Sequence, residues 1–158
     1  MKKHFSLLLI FSIVSSFAFS QMSQDDIGMI QSMYGMSKRD LVQKYMKLPA
    51  GQDSAFWKIY NEYEIARKEI GAKRIQLLQD YANNYATLTD DKANELITEV
   101  LKLNGEQTKL YQKYYGKMKK VISPLKAAQF IQLEVYLENA VRTQIQSQIP
   151  FIGDLDRH

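Results

Sequence analysis

The chain has 158 residues, a formal net charge of +4 at pH 7 and no cysteine. This length corresponds to one domain, and so small an excess of positive charge argues against a nucleic-acid-binding protein. The absence of cysteine excludes disulfides. Because the only histidines are His4 and His158, zinc and copper sites built from histidine and cysteine are excluded as well.

The first predicted element is a signal peptide over residues 1–20. Two lysines begin it, an apolar stretch follows, and Ala18 and Ser20 place small residues at the −3 and −1 positions of a cut before Gln21. The apolar stretch is shorter than the roughly 18–20 residues of a spanning helix, which favours cleavage over a membrane anchor. We therefore expect an exported, periplasmic protein that has no membrane span after cleavage.

Residues 21–36 form a methionine-rich segment that we expect to be flexible. Its methionines are Met22, Met29, Met33 and Met36. Methionine surfaces adapt to many partners because the side chain is flexible and polarisable, although core packing explains any one of these residues at least as well. A short helix follows, and the capping box of Ser37 and Asp40 predicts that it begins with Ser37 as its N-cap.

Three long amphipathic helices are predicted after the short one. Apolar residues recur at steps of three, four or seven, and the first of these helices covers residues 52–87. Thr89 is a good N-cap for the second helix. Ser123 followed by Pro124 is a compact start for the third, which extends to about residue 148.

The expected fold class is all-α, because no stretch of the sequence has the alternation of a β-strand. Short connections make consecutive helices antiparallel, and helices of about 30 residues span roughly 45 Å. The sequence predicts one short and three long antiparallel helices in an elongated, thin helical-hairpin layer over residues 37–149, with a tail over 150–158. In the third long helix, the pattern leaves undecided whether Leu133 or Glu134 faces inward. A thin layer leaves one apolar face poorly covered, which favours a homodimer or a binding surface.

No constellation of catalytic residues is found. With histidine only at the two ends of the chain, a serine–histidine nucleophile pair is not available. Asp90 and Asp91 are adjacent, so their carboxylates do not face each other on a helix, and their position suits a helix start. The chain has no glycine-rich phosphate loop. We expect no enzymatic activity, no cofactor and no metal.

Tyrosine is the main feature that remains, with ten copies, many of them beside lysine or arginine on the long helices. These tyrosines suit the boundary of a thin core, with buried rings and solvated hydroxyls. They equally suit a surface that holds apolar segments while basic side chains attract acidic ones. The candidate residues for binding a polypeptide client are Met29, Met33, Met36, Tyr63, Tyr81, Tyr85, Tyr111, Tyr114, Lys113 and Lys117.

Two helix starts resemble the LTxxQ motif of the Spy/CpxP family of periplasmic proteins. The first is Leu48-Pro49-Ala50-Gly51-Gln52 with Trp57 after it, and the second is Ile122-Ser123-Pro124-Leu125-Lys126 with Phe130 after it. Proline replaces the threonine in the first copy, and Lys126 replaces the glutamine in the second. In such a motif a cap residue precedes a first turn whose polar side chain can tie neighbouring helix ends together. The motif residues are Leu48, Gln52, Trp57, Ser123, Pro124 and Phe130.

The resemblance implies curved, cradle-like dimers of helical hairpins that act as ATP-independent chaperones or restrain an envelope-stress sensor. Some related proteins bind zinc, which the missing internal histidines and cysteines argue against here. The leading expectation is an exported chaperone-like protein that binds unfolded or aggregation-prone polypeptides in the cell envelope. The alternative is a regulatory module that docks one specific envelope protein. A structural coiled-coil subunit is a third possibility, but Arg67, Arg74 and Asn84 fall at its seam positions.

Overall fold

The structure is a computed structural model that describes residues 37–48 and 51–146, together with residues 149 and 152. The described chain contains four helices and no strand, which confirms the predicted all-α class. The signal peptide, the methionine-rich segment and most of the tail lie outside the described residues. A single turn of 3₁₀ helix at Tyr85–Thr87 follows the second helix. The helices are α1 (37–46), α2 (Asp53–Asn84), α3 (Asp90–Met118) and α4 (Pro124–Gln146).

The starts of α3 and α4 follow from local side-chain chemistry, as predicted. Thr89 is the N-cap of α3, and its side-chain oxygen accepts a hydrogen bond from the backbone amide of Lys92 at 3.3 Å. Pro124 is the first residue of α4, and the hydroxyl of Ser123 accepts from the backbone amide of Lys126 at 3.2 Å. The predicted N-cap of α1 is wrong, because Ser37 is itself a helical residue.

The core lies in the part of the molecule that we call the base, where α1 and α4 pack on the hairpin of α2 and α3. The ring of Phe130 on α4 makes edge-to-face contacts with Phe56, Tyr60 and Tyr63 of α2, at centroid distances of 5.6, 6.0 and 5.5 Å. Tyr63 also meets Tyr114 of α3 at 5.4 Å. Val42 and Met46 of α1 complete this core, and both are buried.

The rest of the hairpin, residues 75–102, forms what we call the stem. Helices α2 and α3 have 32 and 29 residues, and at 1.5 Å per residue they span about 48 and 44 Å. Leu96 is the only buried residue in this described stretch. An ion pair between Lys92 and Asp80 at 2.7 Å links the two helices of the stem near its tip. None of the helices in the described part of the chain is long and apolar enough to cross a membrane.

Candidate functional site

A shallow groove between α2 and α3, with a volume of about 250 Å³, is the candidate binding surface. Its floor is apolar, and its rim consists of lysines and glutamates. No residue of α1 or α4 lines it, since α4 packs on the opposite face of the hairpin. We call it the lysine groove, and its lining residues are Ala66, Ile70 and Leu110 on the floor and Glu69, Lys73, Glu106, Lys109 and Lys113 on the rim.

The rim of the lysine groove is more basic than acidic. Lys73 and Glu106 form an ion pair across it at 3.0 Å, which links α2 to α3. Lys109 and Lys113 are exposed and take part in none of the ion pairs among the described residues. The rim therefore carries two exposed lysines that have no ion-pair partner among the described residues.

One end of the groove carries further lysines, which surround a single carboxylate. Lys117 pairs with Glu62 at 2.6 Å, and this hydrogen bond is the main reason why the pKa of Glu62 is lowered. The charges of Lys58 and Lys113 lower the pKa further. The side chains of Lys113 and Lys117 also lie over the ring of Tyr114, at 5.4 and 5.2 Å from its centroid. The local charge is thus positive.

Two of the candidate tyrosines belong to the core. Tyr63 and Tyr114 are 0% and 3% exposed. The hydroxyl of Tyr114 donates to the backbone carbonyl of Glu62 at 3.0 Å, and that of Tyr63 donates to Glu134 at 2.7 Å. Their rings are packed inside the molecule and have no surface to offer a client. Their hydroxyls bind protein groups, so they are core residues and not boundary residues with solvated hydroxyls.

The other candidates are more accessible. Tyr111 is half-buried, and its hydroxyl donates to the carboxylate of Glu138. Tyr81 and Tyr85 are half-buried in the distal part of the hairpin, where their rings meet edge to face at 5.6 Å. Lys113 is on the groove rim and Lys117 is beside its end. Met29, Met33 and Met36 lie outside the described residues.

Side chains in the first two turns of α4 tie two helix ends together. The ammonium of Lys126, in the first turn of α4, donates to the backbone carbonyl of Met46 at the C-terminal end of α1, at 2.6 Å. Gln129 donates to the carbonyl of Tyr45 at 3.5 Å. A cation at a helix C-terminus stabilises the negative end of its dipole. Lys126 therefore links the start of α4 to the end of α1.

The first motif copy behaves differently. Gln52 occupies the N-cap position of α2, but its side chain makes no capping hydrogen bond. Leu48 packs against the core, and Trp57 is half-buried with the guanidinium of Arg39 at 4.1 Å from its ring centroid. In the second copy Phe130 is fully buried. These residues build the base, where they hold α1 and α2 together.

A buried charge cluster was missing from the sequence-based prediction. Lys38 and Glu134 are each 2% exposed. The ammonium of Lys38 contacts Glu134 at 2.6 Å and Glu64 at 2.5 Å, so one cation joins α1 to both α2 and α4. Arg67 completes the cluster with two hydrogen bonds of 3.0 Å to Glu64. The sequence analysis assigned no role to Lys38 and left Glu134 as an alternative to Leu133, yet both α4 residues are buried.

The pKa values of the two carboxylates in this cluster are shifted in opposite directions. Burial raises the pKa of Glu134 above its ordinary value, against the contacts with Lys38 and Tyr63 that lower it. Burial also acts to raise the pKa of Glu64, but Arg67 and Lys38 outweigh it and the pKa is lowered. Neither Lys38 nor Glu134 lines the lysine groove. The contacts of the cluster hold α1 on the base.

Metal and family evidence add no further site. Among the described residues, no three histidine, cysteine, aspartate or glutamate side chains come together as ligands for a metal ion. Comparison of the chain with protein-family models, with curated proteins and with solved structures finds no match.

Proposed function

We propose that this protein is an exported, ATP-independent chaperone-like protein that binds unfolded or aggregation-prone polypeptide segments in the cell envelope. The observation that supports this most is the lysine groove, whose rim carries two exposed lysines that form no ion pair among the described residues. The proposed activity is binding without catalysis, and it requires no cofactor.

The size and openness of the groove suit a polypeptide better than a small metabolite. Enclosed small-molecule sites have volumes of about 300–1,000 Å³, whereas this groove has about 250 Å³ and lies along the outside of a helix pair. Ile70 and Leu110 are only 6% and 7% exposed, so an extended client reaches little apolar surface in the groove beyond Ala66. Apolar contact there removes little area from water, at about 25 cal/mol per Å², so binding through it is weak and reversible.

The lysines add selectivity for acidic segments without demanding one geometry. A lysine ammonium is a compact charge on a flexible four-carbon stem, so Lys109 and Lys113 can follow carboxylates in different positions. Because these side chains are exposed, salt screens their attraction over a Debye length of about 8 Å at physiological ionic strength. Client binding should therefore weaken as salt concentration rises.

The test is suppression of aggregation of an unfolding model protein at equimolar ratio. The groove variant is Lys109→Glu/Lys113→Glu, and the matched control is Lys44→Glu/Lys102→Glu, which makes the same charge change at exposed lysines away from the groove. We expect the wild type and the control to suppress aggregation and the groove variant to lose at least about half of that effect. No suppression by the wild type, or equal loss in both variants, would overturn the proposal.

The same experiment separates the alternative, a regulatory module for one envelope protein. Such a module would not suppress aggregation of the model protein. In a pull-down from the periplasmic fraction it would retain one stoichiometric partner. A chaperone-like protein would retain a mixture of clients.

Export is tested separately, because it depends on residues 1–20. The N-terminal residue of the protein recovered from the cell envelope is expected to be Gln21. Recovery of an intact chain that begins at Met1 would contradict cleavage.

A further inference from the structure

A second cavity, with a volume of about 150 Å³, lies where α4 packs on the hairpin of α2 and α3. It shares no residue with the lysine groove, which lies on the other face of the hairpin. Its lining combines two arginines, one from α2 and one from α4, with a single carboxylate from α4. We call it the arginine pocket, and its principal lining residues are Arg74, Gln107, Tyr111, Val135, Glu138 and Arg142.

The arginine pocket holds more positive charge than its own carboxylate balances. Two arginines and one glutamate leave a net charge of +1. Oε1 of Glu138 lies 3.7 Å from Nη2 of Arg74 and 3.7 Å from Nη1 of Arg142. Both distances exceed the range of about 2.7–3.2 Å for a hydrogen bond, so Glu138 attracts the guanidinium groups without accepting from them. Its other oxygen, Oε2, accepts from the hydroxyl of Tyr111.

The two arginines differ in how their N–H groups are used. Arg74 donates to Oδ1 of Asn104 at 3.1 Å and to the carbonyl of Leu103 at 3.4 Å. Arg142 donates no hydrogen bond to any described residue, and its one ion pair there is the long contact with Glu138. Burial and, after it, the charge of Arg142 lower the pKa of Arg74, although Glu138 acts to raise it. The charge of Arg142 is therefore not fully compensated within the described part of the chain.

A buried amide in the same pocket lacks an acceptor. Gln107 is 7% exposed, and its Nε2 has no hydrogen-bond partner among the described residues. Burial and Glu138 raise the pKa of Tyr111 while Gln107 acts to lower it, so the amide lies near that hydroxyl, yet it makes no hydrogen bond to it. Buried polar groups are almost always hydrogen-bonded. The Gln107 amide therefore indicates a place for an acceptor from outside the chain.

We propose that the arginine pocket binds a small carboxylate, which accepts hydrogen bonds from the guanidinium of Arg142 and from Nε2 of Gln107. A single negative charge cancels the net charge of the pocket, whereas a doubly charged phosphate would exceed it. The two oxygens of a carboxylate also match the planar fork of a guanidinium group. The proposal does not depend on client binding in the lysine groove, because the two cavities have no residue in common.

The size and remaining lining of the pocket limit the rest of the ligand. The volume of about 150 Å³ is about half of the lower end of the range for drug-sized ligands, which is about 300 Å³. The side chain of Val135 and the half-buried ring of Tyr111 offer apolar contact beside the charged groups. We therefore expect a carboxylate with a short hydrocarbon group, either a free acid or the C-terminal end of a polypeptide.

NMR titration of the full chain with isobutyrate tests the ligand class. We expect saturable shifts of the backbone amides of residues 104–111 and 135–142. Isobutyramide, which has the same shape without the charge, should cause none, and inorganic phosphate should bind more weakly than isobutyrate. No saturable shift with isobutyrate, an equal response to isobutyramide, or tighter binding of phosphate would overturn the proposal.

A tripeptide that ends in valine distinguishes the two sources of the carboxylate. The peptide with a free C-terminus should bind, and the same peptide with an amidated C-terminus should not. If the free peptide binds more tightly than isobutyrate, the pocket recognises polypeptide ends, and if it binds more weakly, the pocket recognises free acids. Equal binding of the free and the amidated peptide would contradict recognition of a carboxylate.

Two charge variants test the roles of the pocket residues. Arg142→Gln should weaken isobutyrate binding at least about tenfold, because a hydrogen bond to a charged group is lost. The matched control is Arg39→Gln, which makes the same charge change on α1 and should leave the affinity unchanged. Glu138→Gln removes the competing carboxylate and should tighten binding, a gain that partial unfolding cannot produce. Equal affinities of Arg142→Gln and the control, or weaker binding by Glu138→Gln, would contradict the proposal.

Gln107→Leu separates a donor to the ligand from a structural amide. Leucine has a similar size and carries no polar group, so the substitution removes a buried donor that has no partner. We expect at least about a threefold loss of affinity for isobutyrate and a thermal unfolding midpoint that is unchanged or higher. A lower midpoint would show that the amide is bonded within the protein, and an unchanged affinity would show that it does not contact the ligand. Either result would overturn the role of Gln107.

Discussion

The base and the stem are two parts of the same α2–α3 hairpin, and they differ in what covers them. In the base, α1 and α4 enclose aromatic rings and even a lysine–glutamate ion pair. In the stem no other described helix packs on these two, and large apolar residues such as Ile97 and Leu101 are 52% and 63% exposed. Helices of this kind are stabilised mainly by tertiary packing. The free energy of folding is therefore concentrated in the base, and the lysine groove lies at its edge.

The largest expected effect comes from Phe130→Ala. This fully buried ring contacts three aromatic rings of α2, so its removal leaves a cavity and should lower the free energy of unfolding by about 3–5 kcal/mol. Chemical denaturation measures this. The matched stem variant is Leu96→Ala, for which we expect no more than about 2 kcal/mol, the lower end for such a substitution, because two helices can close the gap. A similar loss of unfolding free energy in both variants would contradict the difference in stability between base and stem.

The next effect comes from Lys38→Met, which removes the cation of the buried cluster and leaves Glu134 unpaired. Breaking a buried ion pair by removing one partner costs about 3 kcal/mol or more. Adding Glu134→Gln should recover most of the loss, because no buried charge is then left without a partner. Lys73→Met is the control, since the side chain of Lys73 is 55% exposed and its ion pair contributes less than about 1 kcal/mol. An equal effect of the two lysine substitutions argues against a buried role for Lys38.

The pH dependence of stability should isolate Glu134. Its pKa is raised in the fold, so the folded protein retains a proton that the unfolded chain loses near pH 4.5. Stability contributed by the neutral form is therefore lost as the pH rises from 4.5 through the raised pKa. Glu134→Gln removes this titration. Denaturation at several pH values should show the wild type losing stability relative to the variant over that window, and parallel curves would contradict the assignment.

Glu64 gives the stability of the fold the opposite pH dependence, in a lower pH range. Its lowered pKa means that its contribution is present above pH 4.5 and is lost as the pH falls through the folded value. Below the folded pKa of Glu64, the contacts of the cluster should therefore stabilise the position of α1 less.

The smallest effect is expected for Arg39→Ala. The guanidinium lies over the ring of Trp57, the only tryptophan of the chain, and such a contact at an exposed site contributes about 0.5–1 kcal/mol. The emission of this tryptophan provides the readout and should shift to longer wavelength. Lys44→Ala, also exposed on α1, should change neither stability nor emission. An unchanged emission in Arg39→Ala would show that the contact does not form.

The sequence predicted those features that depend on neighbours along the chain. The caps at Thr89 and Ser123 are local, because each side chain binds an amide three residues later. The buried stripes of the long helices follow from their period. The period does not separate Leu133 from Glu134, which are adjacent, and both face inward.

The burial of Lys38 and the accessibility of each tyrosine depend on contacts that are distant in sequence. Lys38 is buried because α1 lies against α2 and α4 together, and its partners are 26 and 96 residues away along the chain. The sequence pattern does not distinguish Tyr63 and Tyr114 from Tyr81. Of these three tyrosines, only Tyr63 and Tyr114 are buried, where α4 or the facing helix packs over them. The groove has the same origin, since its floor takes residues from two helices.

Hydrogen exchange with and without an unfolded client is the most direct measurement of whether the lysine groove binds client polypeptides. We predict that the client slows exchange along the groove, over residues 66–73 and 106–113, and leaves α4 unchanged. Protection confined to α4 or α1, or no protection while a client is bound, would contradict client binding in the groove.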